Sequence, residues 1–217
     1  MSIPVKISVL MSLYNTDFDV TERAIKSVLN QDFQEFELII IDDGSLANDR
    51  ESLLRLVEAH EDKIVYIRHR NQGQADSINR GVLNSKGDFI TILDSDDEYK
   101  PNHLSACLRE MHDVDLICST TETIVDSQDD YYVPDKNDLS KNIHLDEVIL
   151  FGTLFGRKHV FNAIDFEGGF AADSHFYEKA LAQFPTKKVS LRTYIYYRNN
   201  PNSTCSTIKK ENLILNN

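Results

Sequence analysis

The chain has 217 residues, 41% of them apolar, with 23 Lys and Arg against 35 Asp and Glu and a formal net charge of -12. That length suits one large domain or two halves around a shared core, and so acidic a surface repels nucleic-acid phosphates and anionic lipid headgroups. A phosphorylated ligand therefore needs a local cation, either a metal or a few placed Arg and Lys side chains.

Cys107, Cys118 and Cys205 have neither metal-site nor redox spacing, which reads as a reduced, cytoplasmic protein. The opening Met-Ser-Ile-Pro-Val-Lys has no secretory layout. No apolar run reaches the roughly 18 residues of a membrane span. The expectation is a protein with no nucleic-acid partner and no transmembrane segment, with peripheral membrane contact left open.

In chain order, Ile7 to Leu13 is a short apolar run of the kind found in buried parallel strands. Asp19-Val20-Thr21-Glu22 reads as a capping box, followed by a helix with Val20, Ala24, Ile25, Val28 and Leu29 on one face. Phe36 to Ile41 is a second strand, ending in Asp42-Asp43-Gly44-Ser45. A helix through Leu53, Leu54 and Val57, a strand from Ile64 to Ile67 and a helix from Ala75 to Leu83 come next. Gly87 breaks the chain before a fourth strand, Phe89 to Leu93, and Pro101 suits the first position of another helix. The second half is less regular. Asp126 to Asn142 reads as a mobile polar loop, Ser174 to Phe184 as a helix and Val189 to Tyr197 as one or two strands.

This βαβαβ order predicts an α/β fold with a mostly parallel sheet flanked by helices. Ligands bind beyond the carboxyl ends of such strands. Three strand ends are polar: Ser12 to Asn15, Asp42 to Ser45, and Asp94 to Asp97. Parallel strands would bring all three to one rim.

An isolated Asp-x-Asp means little, and this chain has three, at Asp17/Asp19, Asp94/Asp96 and Asp113/Asp115. The first sits at a helix start, where acids suit the helix dipole. The middle pair directly follows an apolar strand and is extended by Asp97 and Glu98. Turn chemistry accounts for one or two of these four acids but hardly for all. A hard divalent cation, Mg²⁺ or Mn²⁺, would relieve their repulsion and also bind a substrate phosphate. The seven histidines are scattered, which argues against zinc. Asp42 or Asp43 could accept hydrogen bonds from a base or a ribose, and Tyr14 could lend a flat face to a nucleobase. No glycine precedes Gly44, so the first turn carries no dinucleotide fingerprint. A Walker phosphate loop and a Gly-x-Ser-x-Gly elbow are also missing.

These residues resemble the family 2 glycosyltransferases, a large group of inverting enzymes of GT-A fold, from about residue 5 to about residue 206. The resemblance is carried by Ile7 to Asn15, by Ser27 to Gln31 with Phe36 to Ser45, by Asn71-Gln72-Gly73 through Asn79-Arg80-Gly81, and by Lys86 to Asp97. It implies a single GT-A domain over 1–217, with 1–100 as the nucleotide half and 101–217 as the acceptor and base half. It also implies a nucleotide-sugar donor, UDP-linked by default, and a glycan or glycoconjugate acceptor. Ser12, Tyr14, Asn15, Asp42, Asp43, Asn71, Gly73, Asn79, Asp94 and Ser95 would serve the donor, and Asp96 with Asp94 would hold Mn²⁺ or Mg²⁺. Gly169-Phe170 before Asp173 resembles the segment of the catalytic base, which is then Asp173. The chain departs from the pattern at Ser12, where Pro is usual, at Asp76 and Ser77, where an Arg is common, at Ala172 in place of Glu, and at Asn200 in place of His. Arg198 would then meet the pyrophosphate. A sugar nucleotidyltransferase, which would want a Gly-rich basic first turn, and a non-catalytic nucleotide-sugar binding module are the alternatives.

Overall fold

The computed structural model describes residues 5–46 and 50–198. The first half alternates β1 (Ile7–Leu13), α1 (Phe18–Leu29), β2 (Phe36–Asp42), α2 (Arg50–Ala59), β3 (Ile64–Arg68), α3 (Gln74–Asn84) and β4 (Phe89–Ile92). It continues through β5 (Glu98–Tyr99), α4 (His103–Arg109), β6 (Leu116–Ile124), β7 (Tyr132–Asp135) and β8 (Asp138–His144). The last described elements are β9 (Leu154–Arg157), α5 (Lys158–Ala163), α6 (Ala172–Leu181) and β10 (Thr186–Tyr197).

Eight strands form one sheet in the order β3-β2-β1-β4-β9-β6-β10-β5. The pairs β3/β2, β2/β1, β1/β4 and β6/β10 are parallel, as the βαβ order predicts. β9 runs antiparallel to both of its neighbours, β4 and β6, so two reversals return β6 and β10 to the direction of β4. The pleat divides the strand residues between two cores. Ile7, Val9 and Met11 of β1 and Leu38 and Ile40 of β2 meet Ala24, Ile25 and Val28 of α1 and Leu104 of α4. Leu10, Ile39 and Ile41 face the other way, toward Ile78 and Val82 of α3, Phe161 of α5 and Phe176 of α6. Strands covered on both faces read as continuous apolar runs for this reason.

Four expectations need correction. No side-chain capping bond opens α1; Asp17 is its N-cap through the backbone, and Glu22 pairs with Lys26 one turn on at 2.9 Å. Pro101 is not the first helical residue, because α4 begins at His103 with Asn102 as N-cap. The Pro101 carbonyl instead accepts the Asp32 N–H at 2.8 Å. Asp126 to Asn142 is no open loop: it contains a 3₁₀ turn, Gln128–Tyr131, and β7 pairs antiparallel with β8 as a hairpin. The polar residues that suggested a loop make its tight end, where the Asp135 carboxylate accepts the Asn137 N–H at 2.8 Å. α6 starts at Ala172 rather than Ser174, after Ala171 in the left-handed region at φ 60°. Asn200 and Cys205 lie outside the described residues.

Gly81 lets α3 lie close on the sheet. A Cβ there would stand 2.9 Å from Ile41 Cδ1 and 3.1 Å from Leu10 Cδ2. Gly81→Val should overpack this layer and cost about 1–3 kcal/mol, read as a lower urea midpoint with an unchanged slope; an unchanged midpoint would contradict this packing.

Candidate functional site

The ends of β1, β2 and β4 lie level. Leu13 pairs with Asp42, the Asp43 N–H donates to the Leu13 carbonyl at 2.8 Å, and the Leu93 N–H donates to the Leu10 carbonyl at 2.9 Å. The three polar strand ends therefore meet at one rim. They open on a cleft of about 1260 Å³. Ser12, Tyr14, Asn15, Gly73, Asp94, Ser95, Asp96 and Asp173 line it. Residues of the β7–β8 hairpin, among them Val133, Lys136 and Ile143, form part of the opposite wall.

Tyr14 is 53% exposed, a free aromatic face in the cleft. Asn15 sits at φ 52°. Its side-chain oxygen accepts the Leu46 N–H at 2.8 Å and its own N–H donates to Ser45 Oγ at 3.0 Å, which joins the ends of β1 and β2. Ser95 Oγ and Thr16 Oγ1 lie 2.8 Å apart.

Asp42 and Asp43 are buried. Asp42 accepts the Ser45 N–H at 2.7 Å and the Tyr66 hydroxyl at 2.5 Å, and pairs with Arg68 at 3.2 Å. Burial acts to raise its pKa, but these partners outweigh it and hold the carboxyl below the usual range. Asp43 accepts the N–H groups of Gln72 and Gly73 at 2.7 and 2.9 Å, so it shapes the Asn71-Gln72-Gly73 loop. Gly73, at φ 94°, takes a conformation that favours glycine. Asn79 clasps the backbone of Phe166 with both side-chain atoms, at 2.8 and 2.9 Å, and ties α3 to the segment before α6. Asn71, Asn79 and Arg198 are not among the cleft-lining residues. Arg198 is buried at the end of β10, where its N–H donates to the Ile124 carbonyl at 2.9 Å.

The four acids after β4 separate into two kinds. Asp97 is buried, accepts the Tyr194 hydroxyl at 2.6 Å and the Tyr197 N–H at 2.8 Å, and is not among the cleft-lining residues. Glu98 pairs with Arg23 at 3.0 Å and accepts the Tyr197 hydroxyl at 2.6 Å. Asp94 and Asp96 face the cleft. Burial, then repulsion from Asp96 and Asp173, pushes the Asp94 carboxyl up to about 7, against hydrogen bonds from Gln74 at 2.6 Å and Tyr194 at 3.3 Å. Asp173 lies in the first turn of α6, where its carboxylate accepts the Ser174 N–H at 2.7 Å. Burial raises it to about 6.

Sequence reasoning missed the braces. Arg23 of α1 donates to the Asp96 carbonyl at 2.6 Å, and its guanidinium stacks 4.0 Å over the Tyr197 ring. Gln74, Tyr194 and Lys136, which pairs with Glu178, carry no local motif. A register shift between Val189 and Tyr194 breaks the alternation along β10, so period-2 patterning does not point to Tyr194 either.

Asp94 and Asp96 fit a hard divalent cation. Burial first, and then the Asp96 charge, raises the Asp94 carboxyl, and a bound cation would oppose that rise. Among the described residues no group of three or more His, Cys, Asp or Glu side chains could hold a metal alone. Two carboxylates suit an ion that completes its shell with phosphate and water. Among the described residues no helix is long and apolar enough to cross a membrane.

The model of the family "Glycosyl transferase family 2" matches residues 8–172. A GalNAc(5)-diNAcBac-PP-undecaprenol beta-1,3-glucosyltransferase of Campylobacter jejuni is 34% identical over 110 residues, covering 50% of this chain and 35% of that one. The chain spans well under half the length of the curated relatives it matches. S. aureus TarS 1-349 in complex with UDP-GlcNAc superposes with a TM-score of 0.72 at 21% identity, over 94% of this chain and 61% of that chain. Mannosyltransferase PcManGT from Pyrobaculum calidifontis, in complex with GDP-Man and Mn²⁺, gives 0.71 at 16% identity, over 97% and 62%. Both structures share the fold described above.

The charge crowding has a measurable cost. A carboxyl raised in the folded state favours folding below its unfolded pKa of about 4, and that contribution is lost as pH rises through about 7. Asp94→Asn should therefore stabilise the fold by about 1–2 kcal/mol at pH 8 and by much less at pH 4. Thermal melts at the two pH values test this, and an equal gain at both would contradict it.

Proposed function

The chain belongs to the family 2 glycosyltransferases, and from that premise we propose that it transfers a sugar from a nucleoside-diphosphate sugar to an acceptor hydroxyl with inversion at the anomeric carbon. The observation that carries this reading is the meeting of Asp94, Asp96 and Asp173 in one cleft at the carboxyl ends of the parallel strands. The ligands of the similar structures, UDP-GlcNAc on TarS and GDP-Man with Mn²⁺ on PcManGT, support a nucleotide-sugar donor. UDP is the default nucleotide. The Campylobacter relative, named for transfer to a lipid-linked saccharide, supports a glycan or glycoconjugate acceptor. We read 1–217 as one GT-A domain, with 1–100 serving the nucleotide and 101–217 the acceptor and base.

In this reading Tyr14 offers its exposed face to the nucleobase, with Ser12 and Asn15 beside it. Asp43 acts by holding the 71–73 loop as a wall of the same pocket. Asp94 and Ser95 meet the ribose and diphosphate. Asp173 takes the proton of the acceptor hydroxyl. The acceptor oxygen bonds to the anomeric carbon as the bond to the diphosphate oxygen breaks, and the diphosphate leaves with that electron pair. Mn²⁺ or Mg²⁺, when bound at Asp96 and Asp94, supplies positive charge to the departing diphosphate. The first-turn position of Asp173 and its backbone N–H bonds fix the carboxylate, while burial keeps its pKa near the range useful for a base.

The test is release of nucleoside diphosphate from a panel of nucleotide sugars, with Mn²⁺ and candidate glycan acceptors. Asp173→Asn should lower turnover about 10²- to 10⁴-fold and leave UDP binding intact, whereas Asp96→Ala should lose binding and turnover together. Tight UDP binding with no turnover on any acceptor would favour a binding module. Because the base must be ionised, kcat/KM should rise with pH through about 6 and then level off. A profile flat down to pH 4.5 would remove Asp173 from this role.

A further inference from the structure

We propose that Tyr194, seated over the bare face of Gly152, is a positioning residue that sets the Asp94 carboxylate for donor and cation binding. The proposal rests on the reading of Asp94 and Asp96 given above. Tyr194 is fully buried and does not line the cleft. Its hydroxyl donates to Asp97 Oδ2 at 2.6 Å and reaches Asp94 Oδ2 at 3.3 Å, while the Asp94 N–H donates back to the phenol oxygen at 3.4 Å. The Asp97 N–H closes the same turn on the Asp94 carbonyl at 3.1 Å. One phenol thus grips both ends of the turn that presents Asp94 and Asp96. A phenol has a single hydrogen to donate, so its closer bond to Asp97 anchors the oxygen beside Asp94.

The ring has one place to lie. Tyr99 packs edge-on against it at 5.8 Å. On the other side a Cβ on Gly152 would stand 2.0 Å from ring carbon Cε2 and 2.3 Å from the hydroxyl oxygen, so a larger residue would drive the phenol out of position. Gly152 belongs to the 3₁₀ turn Phe151–Thr153, and Phe151 of that turn lines the same cleft as Asp94 and Asp173. A merely space-filling tyrosine would need its ring but not its hydroxyl, and that difference can be measured.

The experiment is titration of Mn²⁺ with UDP against the full chain, free Mn²⁺ being followed by electron paramagnetic resonance, alongside thermal melts. Tyr194→Phe keeps the ring and should weaken Mn²⁺·UDP binding about tenfold, the usual scale for loss of a partner behind a metal ligand. Gly152→Ala keeps the hydroxyl but displaces it, and should weaken binding likewise. It decides the matter if Tyr194→Phe does not fold. Wild-type affinity in a folded Tyr194→Phe, or in a folded Gly152→Ala if that variant has to decide, would overturn the positioning role while Asp96→Ala, tested in parallel, still abolishes binding. A wild-type chain that binds no Mn²⁺·UDP would overturn the site reading and this role together.

Discussion

The structure is organised around like charge held close together. Asp94, Asp96 and Asp97 follow one another off the end of β4, and Asp173 is brought up to them from α6. Two of these carboxyls, Asp94 and Asp173, are pushed up to about 7 and about 6, and Asp97 is pushed up as well. A fold selected for stability alone would disperse such a cluster. Around it stand neutral or cationic braces: Gln74 on Asp94, Tyr194 between Asp94 and Asp97, and Arg23 on the Asp96 carbonyl and Glu98. They fix the backbone of the turn that carries the cleft-facing carboxylates.

The sheet topology places those braces. Because β9 reverses direction twice between β4 and β10, the carboxyl ends of β4 and β10 lie on the same side. Tyr194 and Tyr197, late in β10, therefore reach Asp97 although 97 and 100 residues separate them in sequence. The hairpin of β7 and β8, inserted between β6 and β9, supplies part of the wall facing the parallel half. The first, parallel half is thus built from short-range βαβ units and the second half from long-range returns.

That division explains what was legible in the sequence. Apolar runs bounded by polar turns gave β1, β2, β3 and β4 nearly residue by residue, because β1, β2 and β4 are buried on both faces. The meeting of Ser12 to Asn15 with Asp94 to Asp96 followed from parallel pairing alone. The second half was harder. Its hairpin is short and polar, so turn residues outweighed the apolar signal of Val133 and Ile143. The Asp97 and Glu98 partners come from β10 and α1, and no local pattern announces a contact across a hundred residues. Asp42 read as a site residue by position and Asn79 by the family resemblance, yet Tyr66, Arg68 and the Phe166 backbone engage them. A carboxylate or amide at a strand or helix end serves a ligand or the fold equally well, and only its partners decide.

The central claim is that Asp94 and Asp96 bind a divalent cation and a diphosphate together. A ligand that binds the folded state raises its stability in step with its affinity. Thermal melts with UDP alone, Mn²⁺ alone and both together therefore test the claim most directly. The account predicts little change with UDP alone and a rise with both that exceeds the sum of the separate effects. A full rise with UDP in the presence of chelator would contradict it.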